Sequence, residues 1–476
     1  MVWRSVVSLC CLLVGIVMIC LGLLTLLLLP TVIRGTILHK LYLKNGSDIY
    51  EKWAHPNVDM RMEYWLFNVT NPQAVTKGVE KPRVHEIGPF SFREVETRKG
   101  IEFSEDEEEV SYETVKTVHF ERNRSCDACD EDAVVTVPNL VYVAACDSTR
   151  HSWRHFMVDF VARFVCKSSA FVSKNVLDLL YRGYDDCLLD WLRPFQKGLP
   201  DKTAIFYQKN GTGSGVYKIH TGVDGDYSRF GEIISWKNRS SLPDSWWRTK
   251  QARMINGTDG GVFPPFLTKE SRPRVFVPEI CRSIELVYHA TVDIDGVETF
   301  RFVLPAETFN SSAPENLGFC QPAQDKYFPE QKSCLPAGFL NISACQPGNV
   351  PVVMSMAHFL YAVPEALSAV EGLSPPSFEQ HSTMVDIEPT TGLMLAVSRR
   401  LQVNVAFHRD REFHHLQKVN NTILPVLWLN ETVRATTATV NRLKEQLLSP
   451  EKWATYGAYA LIGVVEVLDS SHGGTS

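Results

Sequence analysis

The sequence predicts an α+β protein: one amino-terminal transmembrane helix, then a large strand-rich body interrupted by a pair of amphipathic helices. Three observations carry this prediction. The first is a hydrophobic run from Val6 to Leu29, 24 residues without a charge, between Arg4 and Arg34. As a helix it measures roughly 36 Å, enough to cross a hydrocarbon core of about 30 Å with some tilt. The second is the alternation of short β-branched and aromatic runs with turn residues over most of the remaining chain. The third is a series of apolar residues at i, i+3, i+4 spacing from Trp153 to Val165.

The hydrophobic run is longer than the apolar core of a cleaved signal peptide, about 7–15 residues. It ends in Leu26-Leu27-Leu28-Leu29-Pro30 with no small-x-small cleavage step. It therefore reads as an uncleaved anchor, with residues 1–5 as a short cytosolic terminus, 6–29 as the span and 30–450 as one body. Nine of the twelve cysteines lie beyond the anchor. So do ten N-x-S/T sequons, at Asn45, Asn68, Asn123, Asn210, Asn238, Asn256, Asn310, Asn341, Asn420 and Asn430. Together they predict a body on the luminal or extracellular side, where disulfides persist. Charge counting points the other way, since Arg34, Lys40 and Lys44 follow the anchor and only Arg4 and the amino terminus precede it. The sequons and cysteines outweigh it because they are many and independent. Cys10 and Cys11, near the cytosolic end of the span, are candidates for palmitate, or simply two small buried residues. With a net charge of −6 and scattered basic residues, nothing suggests a nucleic-acid partner.

Beyond the anchor, Leu38 to Tyr50 reads as a short helix or stem leading to Trp53. Tyr64 to Val69 reads as a strand stopped by Asn71-Pro72, and Arg83 to Glu94 as a second, broken by the turn pair Gly88-Pro89. Glu102 to Glu109 is an acidic hairpin edge without the ligand spacing of a calcium loop. Strands follow at Tyr112–Phe120 and Ala133–Ala145. In the helix Trp153–Val165, Trp153, Phe156, Met157, Phe160, Val161, Phe164 and Val165 share one face, which is either ordinary core or a cap that handles apolar ligand. A second helix is predicted over Val172–Tyr181. Strands are predicted at Ala204–Gln208, Val216–Thr221, Glu232–Trp236, Arg274–Val277, Ile284–Asp293, Thr299–Leu304, Pro351–Ser355, Thr383–Ile387, Leu393–Ala406 and Ile423–Leu429. A helix candidate, Ala435–Leu448, closes the body.

No catalytic constellation emerges. Gly211 to Gly215 lacks the Lys-Ser/Thr of a phosphate loop and leads into a strand. No G-x-S-x-G elbow occurs. Cys126-x-x-Cys129 has no second pair at zinc spacing, so it reads as disulfide chemistry. His151 and His155 lack an evident third ligand. Asp224-Gly225-Asp226 and Asp293-Ile294-Asp295 match the Asp-x-Asp of a metal-dependent glycosyltransferase, but the alternating α/β pattern of nucleotide binding is missing. No cofactor or metal is expected.

Ile280-Cys281-Arg282-Ser283-Ile284 and Phe300-Arg301-Phe302-Val303-Leu304-Pro305 resemble the class B scavenger receptor family. The resemblance extends through Tyr64 to Pro72, Gly88-Pro89-Phe90, Met254 to Gly260, Gly318-Phe319-Cys320, His358-Phe359, Val385 to Pro389, Arg400 to Asn404 and Leu427 to Glu431. It implies a β-rich ectodomain with an internal lipid tunnel, a helical bundle at the membrane-distal apex and an anchor at each terminus. By matching position it pairs Cys281 with Cys345 and Cys320 with Cys334, while Gly318 stands at one place of a third family bridge. It sets Trp153, Phe156, Phe160 and Phe164 in the apex that meets ligand, with Lys167 as the basic residue that draws a carboxylate or anionic lipoprotein. Physically, a cation attracts the anion and an acyl chain supplies affinity at about 0.8 kcal/mol per buried methylene.

Two departures stand out. The lysosomal member of the family senses pH through an apical histidine, and Lys174 takes that place here, which does not titrate near about pH 6. The carboxy-terminal span is expected near Trp453, yet Ala454 to Val465 holds only 12 uncharged residues before Glu466. Residues 451–476 thus read as an atypical or truncated remnant of a second span. The expected function is that of a membrane glycoprotein, not an enzyme, which binds fatty acids, sterols, other lipids or lipoproteins and passes lipid to the membrane. The alternative is a trafficking receptor for a luminal protein. The expected location is the plasma membrane or a lysosomal or endosomal membrane.

Overall fold

The computed structural model describes residues 2–38, 41–56, 58–150, 152–196, 198–320, 334–445 and 454–460. Helix α1, Val2–Leu38, passes through Pro30 instead of stopping there. A proline removes one helical donor, and in lipid the rest of the backbone still gains most by bonding within the helix. Its stretch Leu13–Leu38 is long and apolar enough to cross a membrane. No helix spans Leu38–Tyr50. Leu43 donates its N–H to the Thr221 carbonyl, and the short α2, Asp48–Ala54, begins where Ser47 accepts from the Tyr50 amide.

The body is organised on one antiparallel sheet of 12 strands. Its first strands are β1 (Val58–Val69), then, after α3 (Pro72–Thr76), β2 (Val84–Phe103) and β3 (Glu109–Phe120). Next come β4 (Val134–Pro138), α4 (Leu140–Thr149), α5 (Arg154–Phe160), β5 (Phe171–Asn175) and α6 (Cys187–Leu192). The chain returns through β6 (Gly213–His220), β7 (Ile233–Trp236), β8 (Arg274–Val277), β9 (Arg282–Glu285), β10 (Val287–Ile294) and β11 (Val297–Val303). It closes with β12 (Leu340–Asn341), β13 (Val352–Ser355), α7 (Pro364–Ser368), α8 (Phe378–His381), β14 (Met384–Ile387), β15 (Met394–Phe407), β16 (Thr422–Ala435) and α9 (Thr437–Leu443). The strand order is β10-β11-β14-β15-β16-β1-β2-β3-β6-β7, with β13 also on β15.

Four expectations change. Gly88-Pro89 does not break β2. The pair, joined by a cis peptide, sits opposite a register shift between Tyr64 and Leu66, and a Cβ on Gly88 would meet the Trp65 ring at 2.5 Å. Ala133–Ala145 is half strand and half helix, because Pro138 ends β4 and Asn139 caps α4 by accepting from the Tyr142 amide. Val172–Tyr181 is strand first: its β-branched start pairs with β4, Val172 opposite Val137, and a wide helical turn at Asp178–Arg182 follows. Ala204–Gln208 is a loop whose Ile205 and Phe206 amides bond to the Leu179 and Leu180 carbonyls. The closing strand also runs to Ala435 before α9 begins. Residues 446–448 of that predicted helix, and 451–453 and 461–476 of the carboxy-terminal segment, lie outside the described residues, as do Lys40 and His151.

Register fixes the two ends of the body. Val58 pairs with Ala435, so the start of β1 and the end of β16 lie together beside α2 and α9. At the other end of β1, the Asn68 side chain accepts from the Thr136 amide of β4, which leads directly into α4. Twelve strand residues span about 40 Å, so α4 and α5 form the end far from the anchor. Four disulfides brace the body: Cys126–Cys129, Cys166–Cys187, Cys281–Cys345 and Cys320–Cys334. Cys146 is free and buried, and burial pushes its thiol well up. The family's third bridge has no room to be restored at Gly318, where a Cβ would lie 2.2 Å from Thr249 Oγ1.

Candidate functional site

A cavity of about 2340 Å³ runs inside the sheet. Ligand pockets for drug-sized molecules are about 300–1,000 Å³, so this one suits something larger. Thr36 and Ile37, at the end of the anchor helix, line it at one extreme. Leu140, Val141 and Leu189 of the far helices line it at the other. The strand residues that face it follow the period of two: Met60, Met62 and Tyr64 on β1, Leu429, Glu431 and Val433 on β16.

One zone of this apolar wall is charged. Lys116 Nζ lies 2.7 Å from Glu94, 2.5 Å from Glu431 and 4.0 Å from Glu96. Arg399 pairs with Glu431 and lies 3.5 Å from Glu279. All six side chains line the cavity. Five of them converge from β15, β16, β2 and β3 and Glu279 from the turn after β8, with β1 contributing Met60 and Met62 between the strands. Burial raises the Glu94 carboxyl to about 7 despite Lys116. Burial opposes the charge on Glu431 as well, but Arg399 and Lys116 outweigh it and hold that carboxyl down to about 2. Lys116 is held well above its ordinary value, burial being overcome by Glu431, Glu94 and Glu96. Next to this zone Arg98 lies 3.1 Å from Glu96 and 3.5 Å from Asp259, which accepts from the Tyr112 hydroxyl at 2.7 Å. Above it the Tyr64 and Tyr181 hydroxyls meet at 2.5 Å. The expectations missed this zone. The alternation Glu94-x-Glu96-x-Arg98 was its one signal, and it reads equally as a solvated strand edge.

The outer face of the same strands carries a different cluster. Trp428 stacks on Trp65 with ring centroids 3.9 Å apart and donates its indole N–H to Glu86 at 2.7 Å. His358 Nε2 reaches the other Glu86 oxygen at 3.1 Å, and the rings of His358 and His381 stack at 4.1 Å. His381 Nδ1 accepts from the Ser377 amide. Burial and the neighbouring His358 lower His381 to about 4. None of these side chains lines the cavity.

At the far end, α5 continues into a wider turn at Val161–Val165. Its buried side is Val158, Val161 and Ala162, and the Asp159 carboxylate fastens it by accepting from the His414 amide. The aromatic face is not core. Trp153 is 73% exposed, Phe156 69%, Phe160 50% and Phe164 61%. Lys167, also exposed, follows in the left-handed region, between Cys166 and the remainder of its disulfide loop. Lys174 rests over the Tyr184 ring at 4.6 Å. His155 faces Ser152 and Glu412, and no group of metal-ligating side chains occurs among the described residues. The two Asp-x-Asp motifs are separate turns, Asp224 accepting from the Asp226 amide and Asp293 from the Gly296 amide. Among the sequons, Asn45, Asn123, Asn210, Asn238 and Asn420 are exposed. Asn430 is 9% exposed on the central strand β16, and its amide donates to Glu63.

An apolar helix long enough to span a membrane, ending at a cavity within a disulfide-braced body, defines a membrane-anchored receptor architecture. The model of the CD36 family matches residues 13–468, and the chain belongs to that family, which is the family of class B scavenger receptors. It is 33% identical over 412 residues to "Lysosome membrane protein 2" of Homo sapiens, covering 86% of this chain and 82% of that one. It is 30% identical over 471 residues to "Scavenger receptor class B member 1" of Cricetulus griseus, covering 97% and 86%, and 29% identical over 463 residues to the Sus scrofa protein of the same name.

Proposed function

We propose that this membrane scavenger receptor binds lipid or lipoprotein at its far end and passes lipid through the cavity toward the membrane. The carrying observation is the extent of the cavity, from the α4 and α6 helices to Thr36 and Ile37 of the anchor. The exposed Trp153, Phe156, Phe160 and Phe164 supply an apolar landing surface, and Lys167 a cation beside it. Residues 30–450 serve as the luminal or extracellular ectodomain, glycosylated at the exposed sequons. Cys10 and Cys11 are the proposed palmitate sites.

The test is mass spectrometry of lipids extracted from the body, Gly35 to Pro450, secreted and purified without detergent. Stoichiometric fatty acid, phospholipid or sterol supports the reading, and a folded but lipid-free body overturns it. A second reading, a trafficking receptor for a luminal protein, rests on the same exposed aromatic face and on the likeness to the lysosomal relative. It expects a protein partner that Phe156→Ser or Phe160→Ser releases.

A further inference from the structure

The charged zone of the cavity wall has a composition that bears on what the cavity accepts. Four carboxylates, Glu94, Glu96, Glu279 and Glu431, share Lys116 and Arg399, and Glu96 and Asp259 also share Arg98 beside them. Each cation is already committed: Lys116 to three carboxylates, Arg399 to two. Ionised carboxylates only accept hydrogen bonds, so the zone has more acceptors than donors. Two donors are left over, since Arg399 Nε–H and the neighbouring Arg98 Nε–H have no hydrogen-bond partner among the described residues. Apolar residues continue the wall along β1, β15 and β16, with Met60 and Val433 toward the anchor and Leu429 and Leu401 toward the far helices.

We propose that this zone is the headgroup site of the cavity, and that it selects lipids with an uncharged hydroxyl head over lipids with a free carboxylate. The proposal rests on the lipid-binding reading of the cavity and narrows its ligand class. A hydroxyl accepts from Arg399 Nε and donates to a carboxylate, which serves both a leftover donor and the surplus of acceptors. A ligand carboxylate only accepts, and it enters a zone where carboxylates outnumber cations, Glu94, Glu96, Glu279, Glu431 and Asp259 against Lys116, Arg399 and Arg98. In a low-dielectric cavity that repulsion is poorly screened. The apolar tail then lies along the wall in either direction.

The experiment uses the full-length protein in detergent micelles at pH 8 and two diazirine probes of equal chain length, a hexadecanol and a palmitic acid. Crosslinked peptides are mapped by mass spectrometry. The alcohol is expected to label wall peptides at a half-saturating concentration roughly tenfold below that of the acid, the size of one hydrogen bond to a charged group. Glu431→Gln releases Lys116 and Arg399 and is expected to move the ratio about tenfold toward the acid. Glu279→Gln, at a more exposed position, keeps the test sound if Glu431→Gln does not fold, and is expected to move the ratio about threefold the same way. Equal or tighter binding of the acid to the native protein, or an unmoved ratio in a folded variant, overturns the headgroup site and leaves the cavity reading standing. Absence of any labelled wall peptide with both probes overturns the cavity reading and the headgroup site together.

Discussion

On the inner face of β15, β16, β2 and β3, Lys116 and Arg399 hold Glu94, Glu96 and Glu431, and Glu279 from the turn after β8, beside an open cavity. On the outer face of the neighbouring strands, Glu86, His358, His381 and Trp428 close on one another, and none of them lines that cavity. Both clusters are polar and both are buried. The outer one uses stacked rings and directional hydrogen bonds. The inner one uses full charges that are neutralised only in part and leave a donor unpaired. A closed cluster serves the fold, because every group is satisfied from within. A cluster with acceptors left over beside empty volume is built to meet something else.

The largest effect should come from breaking the closed side. Trp428→Ala removes the stack on Trp65 and the bond to Glu86, and a loss of about 3–5 kcal/mol is expected, seen as a fall in melting temperature. Wall labelling by the alcohol and acid probes should keep its ratio in any fraction that remains folded. A change of ratio equal to that of Glu431→Gln would show that the two faces are not separate.

Acid sharpens the contrast, because the two clusters respond with opposite signs. His381 is harder to protonate folded, at about 4, than unfolded, at about 6.5, so the unfolded chain binds the extra proton first. The outer cluster therefore loses stability as pH falls from about 6.5 to 4, by up to about 3 kcal/mol. Glu94 is raised to about 7, so the folded state holds its proton longer, and the inner zone loses stability as pH rises from about 4.5 to 7. Melting temperatures across pH 4 to 8 should separate these terms. His381→Asn should remove the acid-side decline, and Glu94→Gln the decline toward neutrality. Identical profiles for the two variants would merge the clusters into one titrating unit.

The far helix provides the surface that belongs to neither cluster. Phe156→Ser or Phe160→Ser should change stability by less than about 0.5 kcal/mol, since both rings are exposed, while weakening capture of lipoprotein or liposomes. A large stability loss would make the stripe core after all. Lys167→Glu should leave folding intact and reduce binding of anionic ligand several-fold, roughly the worth of one exposed charge contact. Unchanged affinity removes Lys167 from the surface. Thiol labelling gives a final check of burial: Cys146 should react only after unfolding.

Much of the framework is legible along the chain. Central strands such as Tyr64–Val69 and Leu393–Ala406 are dense in aromatic and β-branched residues, and their local preference agrees with their pairing. The misjudged segments are those where a neighbour decides. Val172–Asn175 became strand because β4 offered it a partner, and Ala204–Gln208 became loop because the Leu179 and Leu180 carbonyls took its amides. The free thiol had only an arithmetic signature: five cysteines between Cys126 and Cys187 leave one over, and the structure assigns it to Cys146 by pairing the other four.

The sequence by itself determined the anchor, the strand-rich body and the family, because hydrophobic length, strand preference and ordered motifs are local properties. It also determined that one face of the Trp153–Val165 helix is aromatic, since periodicity requires no partner. Which way that face points was decided by tertiary structure: Val158, Val161 and Ala162 are small enough to pack against the body, and the bulky rings were left outside. The same holds for the charged zone. Lys116, Arg399 and Glu431 are separated by up to 315 residues along the chain, and only the curling of one sheet brings them onto a single wall.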